Sequence, residues 1–209
     1  MLEEPKTNSL VLCTLDGHGE QGDHVAQWFR EKLPKNMFGH PLWATNLQVA
    51  VTEAIAKVEK ELLKFYKIDT EFSGTTLSMA IIRDNHLTGV NIGDSRVILA
   101  RDDPATPTPA ENAVDNEATG LAAVEITLDH KPDTPEEKAR IIAAGGRVFA
   151  VQYDDGIDGP PRVWLGHTDI PGLAMARYVL YRETLLDTLE RVYFSFVINT
   201  HFFNDYNRD

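Results

Sequence analysis

The chain has a single cysteine, Cys13, among 209 residues. No intrachain disulfide can form, so a disulfide-stapled secreted scaffold is excluded. No stretch approaches the roughly 18 consecutive apolar residues that a membrane-crossing helix needs. The first residues, Met1-Leu2-Glu3-Glu4-Pro5, are acidic and lack an apolar core, so no signal peptide is expected. Positive charge is scarce as well: 20 Lys and Arg face 32 Asp and Glu, a formal net charge of −12. Nucleic-acid binding and attachment to an anionic membrane both need basic faces, so neither is expected. An intracellular protein, cytoplasmic or nuclear, is the expectation, and the chain contains no internal repeat.

What is present is ordinary for one folded domain: 43% hydrophobic and 25% charged residues. Asp23, ahead of Val25, Trp28, Phe29 and Leu33, predicts a capped amphipathic helix that ends at Pro34. Trp43, Leu47, Val51, Ile55, Val58, Leu62 and Phe65 recur near helical spacing and predict a second, longer helix. Residues 75–101 alternate as successive strands with a turn at Asp84-Asn85, which implies an antiparallel meander. Residues 102–122 carry Pro104, Pro107 and Pro109, several acids and little apolar bulk, and are expected to form a mobile insertion. Thr134-Pro135-Glu136-Glu137 has the form of a capping box, with Gly145-Gly146 closing the helix it opens. Residues 147–151 and 162–165 are expected to pair as strands. In the tail, residues 185–193 suit a short helix and 193–198 a strand. Helices and strands do not alternate as β-α-β units, so an α+β domain with antiparallel sheets is expected.

The chemically informative stretch is Asp16-Gly17-His18-Gly19, at the end of the apolar run 10–15. The run reads as a buried strand, which would make Cys13 a small core residue. Asp16 offers a hard anionic oxygen of the kind Mg²⁺ or Mn²⁺ takes. Gly17 has no Cβ, so its carbonyl can approach the same ion. His18 can give up a proton near neutral pH. Taken alone, the tetrapeptide serves equally as a strand-ending turn with Asp16 capping the next helix.

Further motifs follow in order: Ser73-Gly74-Thr75-Thr76, Gly93-Asp94-Ser95-Arg96, Asp129-His130-Lys131-Pro132, Arg162-Val163-Trp164-Leu165 and Pro171-Gly172-Leu173-Ala174-Met175-Ala176-Arg177. This ordered set, over about residues 10–177, resembles the metal-dependent serine/threonine protein phosphatases of the PPM family, the protein phosphatase 2C type. The resemblance implies two packed antiparallel sheets flanked by helices, with metals in a cleft at one end. It implies two Mg²⁺ or Mn²⁺ ions and a phosphoprotein substrate. By resemblance, Asp16 bridges the ions, the Gly17 carbonyl binds one, Asp94 lies beside the cluster and His18 is the general acid. Ser73 and Thr75 match supporting positions beneath the cleft. Asp129-His130-Lys131-Pro132 reads as structural, and Arg96 as an ion-pair partner rather than a phosphate binder.

The sequence departs from that pattern in three places. The family's preceding strand, with an acidic ligand and a phosphate-binding Arg, has no room before Asp16. After Arg177 the family continues with Ser, an apolar residue and Gly-Asp, where this chain reads Tyr178-Val179-Leu180-Tyr181. The later Asp-Gly and Asp-Asn motifs are not found, and Asp187, Asp205 and Asp209 are expected to be solvated. Residues 1–177 therefore read as a partial phosphatase-like domain and 178–209 as a divergent tail. Little or no phosphatase activity of this chain taken alone is expected, unless Asp187, Asp205 or a second chain completes the site. The alternative is a phosphatase-like domain that binds phosphoproteins or partners.

Overall fold

The structure, a computed structural model, describes residues 1–65, 67–102, 121–153, 156–179 and 199–202. In chain order the elements are β1 (Leu2–Glu4), a 3-10 turn (Pro5–Thr7), β2 (Ser9–Thr14), β3 (Gly17–His18), α1 (Gly22–Phe38) and α2 (Leu47–Leu63). Then come β4 (Gly74–Thr75), β5 (Leu77–Arg83), β6 (His86–Ile92), β7 (Ile98–Asp102), β8 (Leu121–Glu125) and α3 (Pro135–Ala143). The last are β9 (Arg147–Tyr153), β10 (Gly156–Trp164), β11 (Pro171–Leu173) and β12 (Asn199–Phe202). Every strand pair described is antiparallel, but the meander expected over 75–101 holds only for β5 and β6: β7 leaves that sheet and pairs with β8.

The main sheet runs β1-β2-β5-β6-β12. Its register sets Val11 opposite Ile81 and Met79 opposite Val90. Period-two alternation then sends Leu77, Met79 and Ile81 to one face, together with Val11, Val90 and Ile92. That face buries against Val25, Phe29, Leu33 and Met37 of α1 and Val51, Ile55, Val58 and Leu62 of α2. Each such large side chain contributes about 1.5–3 kcal/mol when fully buried. The opposite face presents Ala80, Ile82 and Leu87 to Val97, Leu99, Val124 and Ile126 around the β7–β8 hairpin. The result is an α+β domain with helices on one side of the sheet and a second β layer on the other. A three-stranded sheet, β11-β10-β9, carries the stacked pair Phe149 and Trp164.

Several expectations need correction. α1 does not stop at Pro34 but runs on to Phe38. A proline inside a helix costs about 3 kcal/mol, and burying Leu33 and Met37 on either side of it offsets that cost. Trp43 precedes α2 rather than belonging to it, yet it stays in the core and donates Nε1–H to Thr7 Oγ1 at 3.0 Å. Cys13 is exposed, not buried. The cause is the shortness of β1, which pairs only with Ser9 to Val11 and leaves Leu12, Cys13 and Thr14 uncovered on that side. The capping box does not form. The Thr134 hydroxyl donates to Lys131 O at 2.9 Å, and Glu137 turns inward.

The expected insertion 102–122 begins and ends in ladder. Asp102 pairs with Leu121, and β8 continues to Glu125. The span between them lies outside the described residues, as do the tail helix expected at 185–193 and the strand expected at 193–198. From the tail, Asn199–Phe202 adds a strand to the free side of β6, with Asn199 opposite Gly89.

Candidate functional site

Asp16 leaves the end of β2 and starts a two-residue strand, β3, which pairs with β4 so that Gly17 opposes Thr75 and His18 opposes Gly74. Gly17 is pressed against the first turn of α1. A Cβ there would lie 2.2 Å from Gly22 O, so only glycine lets the helix start this close to the loop.

Thr76 fixes the Asp16 loop in space. Its N–H donates to Asp16 O at 2.9 Å, and the Asp16 N–H donates to Thr76 Oγ1 at 3.1 Å. The same Oγ1 shares a hydrogen bond with Ser95 Oγ at 2.8 Å. Thr76 is fully buried, so one side chain ties the Asp16 loop to the turn that carries Asp94. That turn is held from behind by His130, whose Nδ1 accepts from Gly93 N at 3.1 Å and whose N–H donates to Gly93 O at 2.9 Å. Asp94 Oδ2 accepts from Lys131 Nζ at 2.8 Å. The Ser73 hydroxyl accepts from Gln21 N at 3.0 Å, a supporting contact at the base of the loop. Arg96 reaches Asp129 at 2.8 Å and also pairs with Glu125, so it is engaged in ion pairs.

His18 follows Asp16 and Gly17 in sequence and lies on β3. Burial pushes its pKa below the ordinary 6.5, and the charges of Asp16 and Asp94 oppose that push. Among the described residues neither ring nitrogen has a hydrogen-bond partner, and both are buried. The ring meets Tyr178 edge-on, with centroids 4.7 Å apart and planes at 88°. Burial raises the Tyr178 phenol to about 12, with a smaller contribution from Glu59.

The segment that delivers Tyr178 is clamped. Ala176 N donates to His130 O at 2.7 Å, and Arg140 Nη2 donates to Ala176 O at 2.8 Å. Arg177 Nε donates to Glu137 Oε1 at 2.9 Å, and Arg140 Nη2 donates to Glu137 Oε2 at 2.6 Å. Thr75 and Val179 then exchange two backbone hydrogen bonds, at 3.2 and 2.8 Å.

Of the residues singled out from sequence, Asp16, Gly17 and His18 share one loop, and Thr76 links that loop to the turn that carries Asp94. Three further residues did not stand out there. Thr76 lies inside a quoted motif, but the support role went to its neighbours Ser73 and Thr75. In sequence Lys131 belongs to a tetrapeptide of structural type, and Tyr178 is a departure from the family pattern. For Thr76 the sequence offers only a threonine lying between two acidic loop motifs.

Two carboxylates and a glycine carbonyl are hard oxygen donors and match a divalent ion in type. They do not match it in number. Among the described residues no group of three or more His, Cys, Asp and Glu could hold a metal ion, and Asp94 already holds an ammonium group. Asp187, Asp205 and Asp209 lie outside the described residues.

The protein phosphatase 2C family model matches residues 2–177. The chain belongs to the protein phosphatase 2C family. It is 37% identical over 176 residues to probable protein phosphatase 2C 64 of Oryza sativa subsp. japonica, a match covering 80% of this chain and 37% of the relative. It is 41% identical over 229 aligned residues to probable protein phosphatase 2C 12 of the same plant, covering 83% and 55%. Among solved structures, a serine-threonine phosphatase 2C from Toxoplasma gondii superposes with a TM-score of 0.70 at 18% identity. That match covers 94% of this chain and 64% of the other, and it shows the shared fold. The chain spans about half the length of the curated relatives it matches. Divalent-metal dependence comes with the family. Among the described residues no helix is long and apolar enough to cross a membrane.

Proposed function

We propose that this chain carries part of the active site of a metal-dependent serine/threonine protein phosphatase, acting on phosphoserine or phosphothreonine monoesters in proteins. The observation that supports the reading is the single buried hydroxyl of Thr76, which links the Asp16 loop to the turn that carries Asp94. In this reading the Asp16 carboxylate, the Gly17 carbonyl and the Asp94 carboxylate are oxygen donors to Mg²⁺ or Mn²⁺, and His18 is the general acid. A bound divalent ion supplies two things: a water of lowered pKa and neutralisation of phosphoryl oxygens. The protein's own part is positional. Thr76 ties the two acidic loops together, Lys131 balances charge at Asp94, and the β3–β4 pair sets His18 opposite Gly74.

The test is Mn²⁺-dependent hydrolysis of a phosphothreonine peptide by the purified chain. The phosphatase reading expects turnover that chelation and Asp16→Asn both remove, at a slow rate, since each lost metal-centre interaction commonly costs 10- to 100-fold. A second reading, a phosphoprotein-binding domain of phosphatase ancestry, is favoured by the small donor set among the described residues. It expects retention of the same peptide with no turnover at any Mn²⁺ concentration.

A further inference from the structure

His18 and Gly74 are cross-strand partners in the β3–β4 pair, and Val179 bridges to Thr75 on the other edge of β4. The short strand β4 is thus flanked on both sides. His18 reaches over Gly74 from one side and Tyr178 from the other. The two rings meet above a residue with no side chain. A Cβ at position 74 would lie 2.5 Å from Tyr178 Cδ2 and 2.8 and 2.9 Å from His18 Cε1 and Nε2. The contact therefore exists only because position 74 is glycine.

Beside this contact both imidazole nitrogens are buried and, among the described residues, without a hydrogen-bond partner. Leaving buried polar groups unsatisfied is unfavourable, so something must hold the lid down. The Thr75–Val179 bonds, the Arg177–Glu137 ion pair and the Arg140–Ala176 bond do so within two residues of Tyr178. A group that transfers a proton must come within hydrogen-bond reach of the reacting oxygen. With the Tyr178 ring in place, neither His18 nitrogen has a hydrogen-bond partner among the described residues.

We propose that Tyr178 is an aromatic cap on His18, closing the imidazole to water and to a phosphoester oxygen until residues 177–179 move aside. The cap stands on geometry alone, and only its effect on hydrolysis rests on the reading of His18 as the general acid.

Carbethoxylation by diethyl pyrocarbonate at pH 8, followed by peptide mass spectrometry, reads the cap directly. At that pH ordinary imidazoles are neutral, so rates report access. His24, on the exposed first turn of α1, is the internal standard. The expectation is that His18 labels at least about tenfold more slowly than His24, as a locally closed site does. Tyr178→Phe, which keeps the ring, should stay slow, and Tyr178→Ser should bring His18 to within about threefold of His24. Labelling of wild-type His18 at the His24 rate would overturn the proposal. So would a folded Tyr178→Ser protein in which His18 stays slow. Should that variant not fold, nuclear Overhauser contacts between the two rings in the wild-type protein decide: their presence supports the cap and their absence refutes it. Exposure of His18 in Tyr178→Ser supports the cap whether or not hydrolysis rises. A rise or its absence bears on the role of His18 alone.

Discussion

Replacing Glu137 by glutamine removes the charge on which two guanidinium groups converge. The Glu137 side chain is 8% exposed, that of Arg177 11% and that of Arg140 23%. Removing one partner of a buried ion pair costs about 3–5 kcal/mol, because the remaining charge stays desolvated. Arg140 is wet enough to recover part of its hydration, and the glutamine carbonyl retains one acceptor. The expected loss for Glu137→Gln is therefore about 2–3 kcal/mol. With a urea slope of about 2 kcal/mol/M, the unfolding midpoint should fall by about 1–1.5 M at unchanged slope. The effect should also depend on pH. Burial pushes the Glu137 carboxyl upward, but its bonds to Arg177 and Arg140 outweigh this and leave it below the ordinary 4.5. A depressed folded-state pKa means stability that is present above pH 4.5 and lost as pH falls through the folded value. The gap between wild type and Glu137→Gln should therefore close in acid. A midpoint shift below about 0.25 M at pH 7, corresponding to about 0.5 kcal/mol, would refute the reasoning.

Thr76→Val keeps shape and removes the hydroxyl that joins the two acidic loops. It should cost about 1–2 kcal/mol in urea unfolding and weaken calorimetric Mn²⁺ binding, whereas unchanged binding would mean that the loops hold their places without it. Lys131→Met takes a competing ammonium from Asp94. It should tighten Mn²⁺ binding by about two- to fivefold, the scale of a part-exposed ion pair, while weaker binding would make Lys131 a support of the site.

The legible part of the fold was the part governed by periodicity. The alternation of Leu77, Met79 and Ile81 and the helical spacing of Val51, Ile55, Val58 and Leu62 are local patterns, and the core follows them. The errors came where distant partners decide the outcome. Pro34 reads as a stop until Leu33 and Met37 are seen buried beside it. Cys13 reads as core until β1 proves too short to cover it. Glu137 reads as a cap until Arg177, 40 residues later, takes its carboxylate. At the site, Asp16, Gly17, His18 and Asp94 stood out because Asp and Gly at strand ends are poor sheet formers. Thr76 did not, because a threonine in a strand is ordinary, and its role arises from which two loops meet at its hydroxyl. Tyr178 was visible as an odd residue, but the empty volume over Gly74 that admits it appears only in three dimensions.

The central claim is that Asp16 and Asp94 share one cation site. Calorimetric Mn²⁺ titration of the wild-type chain, Asp16→Asn and Asp94→Asn tests it most directly, with folding checked on each. The account predicts that either substitution weakens binding at least about tenfold, as loss of one metal-centre interaction commonly does. It also predicts that the double variant binds little more weakly than the worse single one, because the two carboxylates serve the same ion. Affinities indistinguishable from wild type, or losses that add as for independent sites, would contradict it.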